Sequence, residues 1–597
     1  MTKSVFYQID IADIAGHIIE VSLHFTPTEK QHSLTLPAWI PGSYMIRDFA
    51  RNITGISASD SEGALQLQQT DKQSWQLSCR HHHVTVRYQV YAYDLSVRAA
   101  YVDDEIAILN PACLCLAVSG LQQHLHKLEL IKPFSCNYQH WRLATSLTPA
   151  ADTAWLDFGG YSAKNYAELI DAPVLAGVFS LSEFSIDAVP HYLVISGNNH
   201  TDQARFTADL SRICQTQKQL FGGLPTDLTR YWFLLWISED GYGGLEHKDA
   251  TLLLSNRKAL PLPAHSAGTV AEINEHYQDL LALCSHEYFH TWWVKRLKPQ
   301  CFASYQLNTE QYTPQLWLYE GFTSYYDDLA LVRSGLISQQ RYITTLEKLI
   351  SRVTRNPSNG KQSLTDSSFN AWTKFYKQDE NAPNAVVSYY AKGALLALCL
   401  HSELTAVGSS LDNVVAQLWQ NYLPGGTPDN ALQLTLQNMG FAELAAQCDN
   451  WLHSAQALPL PSALSKLGLH LSFRPMQHSD DLGGEVTTEV AFIGIQSKWH
   501  NGLLQVTQVY HGSSAHQAGV MVGDQLLALN GRKITASSWP ELLQRHPLNS
   551  TVQLSLFRKD RLLHTDITLA VATQQVAVLT VTEPKLCQQW LNVSPEC

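Results

Sequence analysis

Apolar residues recur at two different periods along this 597-residue chain, and the change of period divides it. Over the first 170 or so residues the period is two. Runs such as Ile18-Ile19-Glu20-Val21-Ser22-Leu23-His24-Phe25 and Val84-Thr85-Val86-Arg87-Tyr88-Gln89-Val90 alternate, carry β-branched and aromatic residues, and are broken by turn clusters. Alternation places one face of each strand in a core, so an all-β, sandwich-like domain is predicted. More strands follow to about residue 255, among them the aromatic run 231–237. From about 271 to 455 the period lengthens towards 3.6, which predicts helices over 273–297, 316–333, 388–404 and 411–422. Strands followed by helices suit an α+β domain with its chemistry at the junction.

Leu458-Pro459-Leu460-Pro461 reads as a linker, after which strands return. The run 512–531 is similar to the core of a PDZ domain. Its small residues from Ala515 to Gly519 suit a short helix, and Asn530-Gly531 suits a hairpin turn. Phe492, Ile493, Gly494 and Ile495 resemble the carboxylate-binding loop of such domains, whose N–H groups capture a chain terminus while the peptide adds as a strand. Equally open is a PDZ unit that only packs on the catalytic domain. The expected division is 1–170 for the β domain, 171–457 for the catalytic domain, 464–575 for the PDZ domain and 576–597 for a C-terminal tail.

Composition narrows the classes. The length calls for several domains, and 45% hydrophobic with 16% charged residues describes an ordinary globular chain. A net charge of −12 without a basic stripe argues against a nucleic-acid partner. Neither an apolar leader within residues 1–10 nor a run of about 18 apolar residues is present, so no membrane span is expected. The 11 cysteines are odd in number and scattered, several in apolar runs (Cys284, Cys399), which suits reduced thiols and a cytoplasmic location. Cys113-Leu114-Cys115 could bind metal, but alternation in a strand explains it equally well, and the strand is the favoured reading.

The chemistry concentrates in His286-Glu287-Tyr288-Phe289-His290. On a helix, positions i and i+4 share a face, so both imidazoles can reach one metal ion while Glu287 reaches a water beside it. Catalytic zinc usually takes three protein ligands and leaves a fourth position open. Glu320, in Trp317-Leu318-Tyr319-Glu320-Gly321, is the candidate third ligand. Zinc would acidify the water and polarise a carbonyl, and Glu287 would carry the proton to the leaving amine. Tyr390, in Ser388-Tyr389-Tyr390-Ala391-Lys392-Gly393, is a candidate oxyanion donor or else a core aromatic. Gly243 and Gly244 allow close backbone approach to a ligand, and Glu246 just beyond them can hold a substrate's α-ammonium; a plain hairpin explains the glycines too.

Taken with residues 36–49 (Leu36-Pro37-Ala38-Trp39-Ile40-Pro41-Gly42-Ser43-Tyr44 onward), 243–247, 286–299, 316–326, 389–393 and the PDZ segment, the chain resembles the M61 metallopeptidases. These are gluzincins of the glycyl aminopeptidase type, relatives of the larger M1 aminopeptidases. The resemblance covers nearly the whole chain and implies a thermolysin-like α+β catalytic domain between the β and PDZ domains. It implies one zinc ion held by His286, His290 and Glu320, Glu287 as general base, Glu246 as the amine anchor and Tyr390 as the oxyanion donor. It departs from the M1 pattern in a longer approach to Glu320, through residues 301–314, and in Trp292-Trp293 where Trp-Asn is usual.

The expected function is release of small N-terminal residues, Gly and Ala, from peptides, with Tyr242 as a candidate wall narrowing the first pocket. Two alternatives stand beside it: an endopeptidase or non-peptide hydrolase on the same metal, and a PDZ-based peptide-binding adaptor with an idle metal site.

Overall fold

The computed structural model describes residues 4–80, 82–263, 273–486, 488–535 and 537–592. The chain forms two compact units, Met1–Gln311 with Trp419–Thr427, and Tyr312–Leu418 with Pro428–Cys597.

In the first unit, β1 (Ser4–Asp13) and β2 (Ile18–Phe25) alternate buried and exposed positions as the pattern requires. They lie in an eight-stranded sheet where β2 is antiparallel to β3 (Val84–Tyr91) and β1 is parallel to β4 (Leu125–Ile131). Tyr7, Tyr88 and Tyr166 are buried here, and each hydroxyl donates to a carbonyl of the 114–116 segment, those of Leu116, Leu114 and Cys115. That segment follows a helical turn at Pro111–Leu114, not the expected strand, because Asn110 caps it and Pro111 suits a first helical position.

Besides two four-stranded sheets, the unit holds a five-stranded sheet: β5 (Phe179–Ile186), β6 (Val189–Ser196), β7 (Tyr231–Ser238), β8 (Gly243–Glu246) and β9 (Ala250–Asn256), in the spatial order β5-β6-β7-β9-β8. The central three are parallel, and β8 is an antiparallel edge. Two helices belong to this layer, α1 (Gln203–Phe221) and α2 (Glu275–Phe289). The strand β7, apolar from Tyr231 to Ile237, sorts its side chains by alternation. Trp232, Leu234 and Trp236 join the core of the β domain, whereas the rings of Tyr231 and Phe233 pack on Tyr288 of α2.

Asn274 caps α2, its side chain accepting from the Tyr277 N–H at 2.8 Å. The helix ends at Phe289, eight residues short of the expected limit. Both Trp292 and Trp293 donate their N–H to the Phe289 carbonyl, Val294 turns the chain at φ 77, and the Trp292 ring stacks on Phe221 at 4.8 Å. The apolar pattern continued past the helix because these aromatics are buried in a turn.

In the second unit a π-helical turn, Trp317–Gly321, runs into α3 (Phe322–Arg333), followed by α4 (Gln339–Thr354) and α5 (Tyr389–Ala406). α5 is buried on almost every side. By length and composition the stretch Ala382–Ala406 has the apolar character of a membrane span, but 72% of its most apolar window is inside the protein. The expected linker is in fact α6 (Leu460–Lys466), which buries Leu460, Ala463 and Leu464; a proline at the start of a helix costs no hydrogen bond.

β10 (Leu469–Pro475) leads towards the PDZ domain. There, β11 (Ile495–His500), β12 (Leu503–Val509), β13 (Gln525–Leu529), β14 (Thr551–Arg558) and β15 (Arg561–Thr568) form a sheet with β11 at its edge. The chain from residue 576 is not a bare tail. β16 (Gln575–Val581) pairs antiparallel with β10, and α7 (Pro584–Leu591) sends the Trp590 indole N–H to the Tyr325 hydroxyl at 3.0 Å.

Candidate metal centre and amine site

The first unit carries His286, Glu287, His290 and Glu246. His286 lies in the last turn of α2 and His290 is its C-cap, their two ring centroids 4.8 Å apart. The helix is fixed from its opposite side. Tyr288 hydrogen-bonds His191 Nε2 at 2.9 Å, and Gln217 Nε2 donates to the Ser285 carbonyl at 2.7 Å. Burial holds the His191 imidazole at about 4, well below its ordinary range, so the ring is neutral. Burial likewise pushes the Tyr288 phenol up and keeps its proton in place.

Glu287 is 5% exposed and lies against β8. A Cβ added to Gly244 would fall 2.2 Å from its Oε1, so only glycine lets strand and carboxylate meet this closely. Glu246, at the end of β8, is 4% exposed. Its carboxylate, that of Glu287 and the His290 ring place ligand-type atoms within 4.8 Å of one another. Oε1 of Glu246 has no hydrogen-bond partner among the described residues. A buried carboxylate oxygen left unpaired is costly, so this one marks a place for a cationic group. Neighbouring imidazoles and carboxylates are the donor chemistry of catalytic zinc, and the residues present fit that ion.

The β domain grips the edge strand at three points. Arg98 donates to the Gly244 carbonyl at 3.1 Å. Gly42, at φ +93, would place a Cβ only 2.3 Å from Glu246 Oε1, so its loop closes directly on that carboxylate. Asp171 Oδ2 accepts from the Lys248 N–H at 2.9 Å, and Oδ1 accepts from Lys295 Nζ at 2.7 Å. The His247 Nδ1 atom stands 3.3 Å from the same oxygen, close enough for charge attraction but without hydrogen-bond alignment. Burial alone would raise the Asp171 pKa, but Lys295 and His247 outweigh it and hold the carboxyl well below the carboxylate range. None of Arg98, Asp171 and Lys295 stood out in the sequence.

Beside Glu246 the loop 39–44 meets the loop after residue 300. Trp39 donates its indole N–H to the carbonyls of Gln306 and Thr309, and Tyr44, Phe302 and Tyr305 form an aromatic cluster with centroids 5.6 to 5.8 Å apart. Tyr242, the expected pocket wall, is 58% exposed and donates to the Asp279 carbonyl on the surface of α2.

The second unit carries Glu320 and Tyr390. Glu320 is buried in the π-helical turn. Behind it, Gly321 and Gly393 bring two backbones together: a Cβ on Gly321 would sit 2.6 Å from the Gly393 Cα. This crossing brings the first turn of α5 close to Glu320. Burial first, and the Glu320 charge second, push the Tyr390 phenol well above its ordinary value. Its hydroxyl lies 3.3 Å from that of Tyr376, and its ring stacks on Phe375. Lys392 points away from this chemistry, its buried ammonium reaching the carbonyls of Gln362 and Ala455.

In the PDZ domain, Phe492 and Ile493 are core residues. The Ile493 carbonyl accepts from the Ala515 N–H, and the Gly494 carbonyl accepts from the Tyr510 N–H. The neighbouring stretch is clamped by Asn384 of the helical part, which donates to the Val509 carbonyl and accepts from the His511 N–H, both at 2.9 Å.

The chain is similar to known proteins along nearly its whole length. Residues 6–178 match the Peptidase M61 N-terminal domain, residues 279–396 the M61 glycyl aminopeptidase family and residues 491–569 a PDZ domain. The crystal structure of an aminopeptidase N family protein from Idiomarina loihiensis is similar at 39% identity, covering 98% of this chain and 100% of that one, with a TM-score of 0.94. An M1 zinc metallopeptidase from Deinococcus radiodurans aligns at 12% identity over 77% of this chain and 95% of that one, with a TM-score of 0.48. No protein of curated function matches the sequence.

Proposed function

This chain belongs to the M61 glycyl aminopeptidase family, and on that premise we propose that it is a zinc aminopeptidase releasing small N-terminal residues, glycine and alanine, from peptides. The observation that carries the reading is the buried, unpartnered Glu246 oxygen beside Glu287 and His290. An endopeptidase has no need of a buried anion there, whereas an aminopeptidase must bind an ammonium one residue from the bond it cuts.

His286, His290 and Glu320 would hold the ion. When bound, zinc supplies a Lewis acid and lowers the pKa of water at the site towards neutrality. Every other task falls to the chain. Glu246 binds the substrate's α-ammonium and fixes the register of the peptide, and Gly243 and Gly244 let its backbone lie along β8. Glu287 takes a proton from the attacking water at its carboxylate and delivers it to the departing amine nitrogen. Tyr390, whose proton is held by burial, donates a hydrogen bond to the oxyanion. Size selection is assigned to the Gly42 loop and the aromatic cluster behind it, in place of Tyr242. For the PDZ domain, the Asn384 clamp supports a packing role, and the edge position of β11 supports addition of a peptide strand at the 492–495 loop.

The test is hydrolysis of glycyl- and alanyl-nitroanilides and their N-acetylated forms, before and after chelation and zinc restoration. Chelator-sensitive cleavage that acetylation abolishes is the expected result. Equal cleavage of acetylated substrates would transfer the assignment to an endopeptidase. No cleavage by a folded, zinc-loaded sample would leave the adaptor reading in its place.

A further inference from the structure

We propose that Asp171 is a positioning residue for amine recognition, tying the strand that presents Glu246 to the turn that follows the second histidine of α2. The proposal rests on the amine-anchoring role given to Glu246 above. Asp171 comes from the β domain, where it ends the short helix Tyr166–Ile170; that helix is anchored in the core by the Tyr166 hydroxyl on the Cys115 carbonyl. Its backbone is therefore a fixed point.

The two carboxylate oxygens reach two different elements of the site. Oδ2 takes the Lys248 N–H, two residues beyond Glu246, with His247 packed alongside. Oδ1 takes Lys295 Nζ. Lys295 is itself bound to the C-cap of α2, its backbone N–H donating to the His290 carbonyl at 3.3 Å. One side chain thus spans the amine anchor and the end of the helix that carries the base and both imidazoles. With the Lys295 side chain only 6% exposed, loss of Asp171 would strand a buried ammonium and drive the turn to rearrange.

The spacing so fixed is the working dimension of an aminopeptidase. The ammonium must be held while the next carbonyl lies within reach of Glu287, and an error near 1 Å costs about 100-fold. Arg98 holds the other end of β8 through the Gly244 carbonyl, so Asp171 controls the end nearest Glu246.

The experiment is a double-mutant cycle in the full-length, zinc-loaded protein, with kcat and KM on alanyl-nitroanilide for wild type, Asp171→Ala, Glu246→Ala and the double variant. Asp171→Asn, which keeps an acceptor for the Lys248 N–H, serves as the conservative variant. Hydrogen exchange across residues 243–248 and across α2 is measured on the same samples.

Asp171→Ala is expected to lower kcat/KM by about 10- to 100-fold, the range typical of residues that orient others in a site, with Asp171→Asn intermediate. The double variant should lie within about threefold of Glu246→Ala alone, because the two act as one unit. Exchange across residues 243–248 should rise at least about tenfold in Asp171→Ala while α2 stays protected. Losses that multiply in the double variant, or unchanged exchange in that strand, would overturn the proposal and leave Asp171 a structural ion pair. If Glu246→Ala itself keeps full activity, the amine-anchor reading falls and takes this proposal with it. If Glu246→Ala is impaired and Asp171→Ala is not, this proposal alone falls.

Discussion

Gly244→Ala tests how tightly the edge strand and Glu287, the proposed general base, are fitted. Gly244 has an ordinary strand φ, so alanine meets no backbone penalty there and the effect is steric. The new methyl carbon would lie 2.2 Å from Oε1, 2.5 Å from Cδ and 2.6 Å from Cγ of Glu287. Restoring even a 3.0 Å contact from 2.2 Å requires Oε1 to retreat by at least about 0.8 Å. Neither backbone can yield easily: Arg98 and Asp171 hold β8, while Tyr288 and Gln217 hold α2. The carboxylate itself must turn, which in the proposed mechanism takes it away from the water it would deprotonate. A displacement near 1 Å costs about 100-fold in rate, or about 2.7 kcal/mol of barrier. The overpacking should lower stability by about 1–3 kcal/mol. We expect kcat on alanyl-nitroanilide to fall about 100-fold, with zinc stoichiometry, measured by atomic absorption, near wild type. A folded, zinc-loaded Gly244→Ala protein with kcat within about threefold of wild type would refute the reasoning: either β8 does not set the position of Glu287, or Glu287 is not the base.

Gly42→Ala should act on binding rather than turnover. Its Cβ would meet Glu246 Oε1 at 2.3 Å, and the φ of +93 adds about 1–3 kcal/mol of backbone strain. KM for free-amine substrates should rise at least about tenfold, and an unchanged KM would contradict the assigned amine site. A second expectation concerns acid stability. The buried His401 Nδ1 is hydrogen-bonded at 2.9 Å to the Tyr325 hydroxyl, which accepts from the Trp590 indole, and burial lowers the imidazole from 6.5 to about 4. The unfolded chain takes up a proton below about pH 6.5 where the folded protein resists it. Stability is therefore complete above that pH and falls as pH drops through the window from 6.5 to 4, by up to about 3 kcal/mol from this group. Denaturant unfolding at pH 7 and pH 5 should show a smaller difference in His401→Gln than in wild type, and equal differences would remove His401 from the account.

Where a local period dictated the answer, the sequence was a good guide. The alternating strands at 18–25 and 84–91, and the i, i+4 pairing of His286 with His290, depend on neighbours in the chain. The helix over 411–422 kept its expected limits for the same reason. Errors arose where tertiary contacts override the period. Trp292 and Trp293 extended an apolar pattern that Phe221 in fact draws into a turn. Pro459 and Pro461 read as a break, yet a helix accepts proline at its start. Asp171 was out of reach for another reason. Its partners Lys248 and Lys295 lie 77 and 124 residues away, and a lone carboxylate carries no local signal of such pairing. Tyr242 was misplaced because sequence adjacency to a glycine pair says nothing about which way a ring faces.

The ribbon of β10 and β16 has one more consequence. Pro475 pairs directly with Gln575, and Met476, Phe492, Tyr510, Ala572 and Val576 form a small apolar neck at that point. The chain therefore departs for the PDZ domain and returns from it at a single place. The β16 strand it returns to is bonded to α4, the Ala577 N–H donating to Ser351 Oγ and the Leu579 N–H to Glu347 Oε1. In genetic terms the PDZ domain is a cassette spliced into a hairpin. A stop codon anywhere within it would also delete the strand beneath α4 and the indole that anchors Tyr325. An in-frame excision of the residues between 476 and 574, closed by a short turn, would remove the cassette and leave its host's last strand and helix in the gene.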